Sequence, residues 1–137
     1  MTFDPTQFTP TQWSTSIDKA LFAKQFVRFV QSDFAEKHFT KKFYQRLSST
    51  FGHIAHYNRG GFWDTFFTTT AYKVRFLEMA VQYPCYGDPA WTFSDVERAV
   101  QAWLKAEGTL ERYQQQLADE IEAAELALLA RLQQKYR

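Results

Sequence analysis

The sequence contains one cysteine, Cys85, so no internal disulfide can form. A chain without disulfides suits a reducing compartment, and the cytoplasm is the expected location. No run of 18 uninterrupted apolar residues occurs, which argues against a membrane-spanning helix. The N-terminal MTFDPTQFTPTQW has neither a basic segment nor an apolar run and does not read as a secretory signal. The chain has no nucleophile elbow, no Gly-rich phosphate loop and no Glu-x-x-His pair of the kind found in di-iron bundles. Its three histidines, His38, His53 and His56, all precede residue 57, so the later helices offer no proximal haem ligand. No cofactor is expected. Internal repeats and low-complexity segments are also lacking.

What is present is aromatic: 14 Phe, 7 Tyr and 4 Trp in 137 residues. Rings bury a large area each, so a chain of this length can build one dense core from them. The net charge of +1 hides an uneven layout. Lys and Arg dominate up to residue 75, and Asp and Glu dominate beyond it. Such a split can draw an acidic partner to one end or neutralise itself within one bundle.

Apolar spacing of three and four residues predicts an all-α fold, a compact bundle of about five helices with a central aromatic-rich helix and a long C-terminal one. Residues 1–15 read as an extended arm, broken by Pro5 and Pro10, that docks Phe3, Phe8 and Trp13 on the helical domain of 16–137. The first helix is expected over Ser16–Phe34, capped by Ser16. The second covers Glu36–Tyr57, and Asn58-Arg59-Gly60-Gly61 reads as its stop and turn. The third, over Phe62–Tyr83, is apolar on nearly every side and so belongs at the centre, with a kink expected at Thr68-Thr69-Thr70. Ser94-Asp95-Val96-Glu97 matches a capping box for the fourth, which runs to Glu107. The last spans Thr109–Tyr136, with Leu110, Tyr113, Leu117, Ile121, Ala124, Leu128 and Leu132 as its inner stripe. At 1.5 Å per residue it is about 42 Å long, more than a domain of this size is broad, so its end is expected to project.

Three constellations can carry function. On a helix over 36–57, His38, Lys42, Arg46, Ser49, His53 and His56 share one sector, with Lys37 and Lys41 beside it. This basic stripe suits phosphates or an acidic protein surface. Around the following turn, His53, His56, Asn58, Arg59 and Asp64 gather imidazole, amide, guanidinium and carboxylate groups. His53 and His56 at i,i+3 supply two metal ligands, and zinc needs three or four. On the last helix, Leu126 and Leu129 spread apolar surface onto the side that earlier carries Glu111, Asp119 and Glu122.

These readings favour a small non-enzymatic interaction or regulatory protein of the adaptor or inhibitor type. A protein partner is expected on the basic helix face or the C-terminal helix, where self-association is an alternative. The competing readings are a nucleic-acid binder using the second helix, and a metal protein or enzyme centred on His53, His56 and Asp64.

Overall fold

The computed structural model describes residues 3–51, 58–82 and 87–137, and every regular element among them is helical. After a 3-10 turn at Pro5–Gln7 come α1 (Ser16–Gln31), a second 3-10 turn (Glu36–His38), α2 (Lys41–Thr50), α3 (Arg59–Phe66), α4 (Thr70–Gln82), α5 (Ser94–Ala106) and α6 (Thr109–Lys135). The all-α bundle with a long last helix is as expected. Several boundaries are not, and each has a local cause.

Thr15, not Ser16, caps α1: its hydroxyl accepts from the Asp18 amide, and the Asp18 carboxylate accepts from the Thr15 amide. The helix stops at Gln31, because Asp33 and Phe34 both take left-handed backbone with φ of 60° and 55°. This corner buries the Phe34 ring and turns Asp33 toward later helices. The continuous helix expected over Glu36–Tyr57 is broken near its start. Thr40 caps α2 by accepting from the Phe43 amide, so the chain before it is free to turn and bury Phe39. Asn58 begins a helix instead of ending one: its side-chain oxygen accepts from the Gly61 amide at 2.7 Å, and Arg59, Gly60 and Gly61 lie inside α3. The expected third helix is two helices. The break falls at the threonine run, where the Thr69 hydroxyl oxygen accepts from the Tyr72 amide at the start of α4. Ser94 forms no capping box. It is the first residue of α5 and donates to the Gly87 carbonyl, while Glu97 is buried. Gly108, at φ +61°, divides α5 from α6 where a side chain would be strained.

The core is a continuous set of rings. Phe29 of α1 lies 5.0 Å from Phe43, 5.1 Å from Phe67 and 5.2 Å from Phe34, centroid to centroid. Phe67 in turn meets Phe76 of α4 at 5.0 Å and stacks on Phe34. The centre is therefore shared between α1 and the α3–α4 junction. Of the arm, Phe3 and Phe8 are buried as expected, but Trp13 stays 71% exposed.

Lys19 is fully buried on α1, and its ammonium meets three acceptors: the Pro89 and Thr92 carbonyls and Asp95 Oδ1, at 2.8, 2.9 and 2.9 Å. Asp95 Oδ2 also accepts from the Thr9 amide, so one carboxylate ties the arm and α1 to the start of α5. On the far side, Tyr113 of α6 donates to Asp33 Oδ1. Burial, then that carboxylate, push its phenol well above the ordinary value, so it remains a donor through neutral pH.

Lys19→Met should destabilise the domain by about 3 kcal/mol, because it leaves the Asp95 carboxylate without its cation and two carbonyls without their donor. Urea unfolding followed by circular dichroism measures this.

Candidate interaction surfaces

The basic stripe expected on one helix is divided by the turn at Thr40. His38 sits in the 3-10 turn and Lys42 in the first turn of α2, yet both line one cleft of about 180 Å³. Arg28 and Gln25 of α1, with Lys37 and Thr40, complete its polar lining, and no acidic side chain borders it. Arg28 was not legible as a member, because its partners lie on another element. On the neighbouring surface, Lys41, Lys42, Gln45, Arg46 and Ser49 border a shallower depression.

The cations differ in what they touch. Arg46 donates to Ser14 Oγ at 2.7 Å and lies over the Phe93 ring. Arg59 donates twice to the Phe39 carbonyl, at 3.1 and 2.7 Å, and lies over the Phe39 ring. Both hold elements together. Asn58 is likewise engaged as the α3 cap. Lys37 and Lys42 form no ion pair with a described residue. His53 and His56 lie outside the described residues, and Asp64 is exposed on α3. Among the described residues, no three His, Cys, Asp or Glu side chains are grouped to hold a metal.

A feature absent from the sequence reading is a cleft of about 340 Å³ lined by Trp13, Trp91, Arg46, Ser14, Ser49 and Phe93. Both tryptophans are largely exposed. Nothing in the local pattern marks them, since loop rings are as often buried by neighbouring elements.

The apolar surface on α6 is larger than the sequence implied. The helix packs against α4 and α5 through its first third, where Tyr113 is buried and Leu110 and Leu117 are half-buried. From Ala118 onward every residue is exposed. The expected inner stripe therefore loses its cover halfway: Ile121, Leu128 and Leu132 face solvent, as do Leu126 and Leu129, each of the five between 43% and 59% exposed. The arm does not reach them, because its anchors are Ser16, which donates to the Phe8 carbonyl, and Asp95. No helix among the described residues is long and apolar enough to cross a membrane.

Arg46→Gln and Arg59→Gln should each cost about 1–2 kcal/mol of stability through lost charged hydrogen bonds. Lys37→Gln and Lys42→Gln should stay within about 0.5 kcal/mol, as exposed substitutions do. Chemical denaturation of the four variants separates the two groups. Set against protein-family models, curated proteins and solved structures, the chain matches none.

Proposed function

We propose that the chain is a small non-enzymatic interaction protein, of the adaptor or inhibitor type, that docks the outer half of α6 against a helix of a protein partner. One observation carries this reading. Five large apolar side chains, Ile121, Leu126, Leu128, Leu129 and Leu132, stand in water on a helix that has run past its own domain. A helix without tertiary contacts draws little stability from propensity alone, and contiguous exposed apolar surface marks an interface. The chemistry of the face defines its occupant. Acidic side chains flank it at 119–125 and basic ones at 131–137. The complementary partner is an amphipathic helix with bases beside the first block and acids beside the second.

A second reading is favoured by the cleft between α1 and α2. Arg28, Lys37, His38 and Lys42 line it, with no acidic side chain among the described lining residues, which suits the phosphates of a nucleic acid.

Immobilised protein should retain a helical partner that the Leu128→Asp/Leu132→Asp variant loses. The dissociation constant should rise at least about 100-fold, since each buried leucine contributes roughly 1.5–3 kcal/mol. Equal retention by both overturns the docking reading. For the second reading, affinity for a labelled DNA duplex should fall steeply with salt and drop further in Arg28→Glu/Lys42→Glu. Binding that ignores salt and these changes removes it.

A further inference from the structure

We infer that the occupant of the outer half of α6 is the same segment of a second copy of this chain, lying antiparallel to it. The inference rests on the docking reading and names its partner.

The first support is periodicity. Leu110, Tyr113 and Leu117, which lie on the domain, recur eleven residues later as Ile121, Ala124 and Leu128, and Leu132 begins a third repeat. Eleven residues in three turns keep a row nearly straight along a helix. The face that α6 presents to its own domain therefore continues, unchanged in direction, into solvent. Ala118–Lys135, about 27 Å of helix, carries this row without cover.

The second support is charge. Asp119, Glu120, Glu122 and Glu125 form one block, and Arg131, Lys135 and Arg137 form another. No member has an opposite charge three or four residues away on the helix, so the blocks do not neutralise each other within one chain. Neither Glu122, Glu125, Arg131 nor Lys135 pairs with a described acid or base. The helix dipole favours the basic block at the C-terminus, but the acidic block lies mid-helix, beyond the reach of that effect. An antiparallel neighbour supplies what is missing. With a two-fold axis near Leu128, that leucine meets its own copy, Ala124 lies opposite Leu132, and residues 119–125 of one copy lie level with residues 131–137 of the other. Each acidic block then lies level with a basic one along the pair. A parallel pair would set acid on acid and place two domains side by side, whereas the antiparallel pair holds them at opposite ends.

Sedimentation equilibrium of the full chain tests this. The average mass should climb from the 16.2 kDa monomer toward twice that value between about 1 µM and about 1 mM. Glu122→Lys/Glu125→Lys and Arg131→Glu/Lys135→Glu should each weaken association at least about 10-fold, and combining all four changes in one chain should restore it. Restoration is expected because the antiparallel pair sets each block level with one of opposite charge, whereas a parallel pair would keep like on like. Leu128→Asp should leave a monomer. All these side chains are exposed, so an unchanged unfolding midpoint of the dilute monomer confirms that the variants fold. A four-fold variant as weak as its parents overturns the antiparallel arrangement, and a dimer unaffected by Leu128→Asp overturns the surface. A wild type that stays monomeric to about 1 mM while Leu128→Asp/Leu132→Asp still loses a captured helical protein overturns self-pairing and leaves the docking reading standing. If neither effect is seen, both fall.

Discussion

The packing of Phe29 against Phe67 is the contact on which the rest of the bundle depends. Phe29 stands on α1, and Phe67 closes α3 just before the chain re-enters helix at Thr70. Around these two rings gather Phe34, Phe39, Phe43, Phe62 and Phe76, so four helices and two turns meet in one aromatic junction. Rings packed edge to face or offset add attraction beyond their buried area, and their rigid shapes fix where each backbone must pass. The break between α3 and α4 and the left-handed corner at Asp33-Phe34 follow from this need. A straight helix through either place would carry Phe67 or Phe34 away from the junction.

Polar contacts then decide which charges are available to anything outside. Lys19 and Asp95 sit between the arm, α1 and the α5 entry, and every ammonium proton there has an acceptor. Arg46 and Arg59 likewise bind carbonyl, hydroxyl and ring faces of the protein itself. One group of outward cations, Arg28, Lys37 and Lys42, gathers between α1 and the start of α2. The large apolar surface that remains lies on α6. That helix meets α4 and α5 over its first two and a half turns, and the rest of it is exposed.

Most of the helix content was legible in spacing alone. The long last helix, the buried Phe3 and Phe8 and the weak point at Thr68–Thr70 all follow from periodicity and local backbone preference. Errors arose where a short polar side chain had two local uses. Asn58 reads equally well as a helix end or a helix beginning, because capping chemistry alone does not say which flanking segment is helical, and the Ser94 hydroxyl serves the Gly87 carbonyl instead of an α5 amide. Thr40 had the same ambiguity, and resolving it separates His38 from the helix that carries Lys42. The convergence of Arg28 with those residues was invisible, since it depends on how α1 and α2 lie together.

The sequence by itself determined that this protein is helical and aromatic at its centre, and that its last helix carries an eleven-residue apolar row with segregated charge. Those properties are set by residues within a few turns of one another. Only the tertiary structure decided how far that row is covered. Coverage is a matter of where other elements end in space, and α4 and α5 end against the first third of α6. The same row is therefore core at Tyr113 and open surface at Leu128.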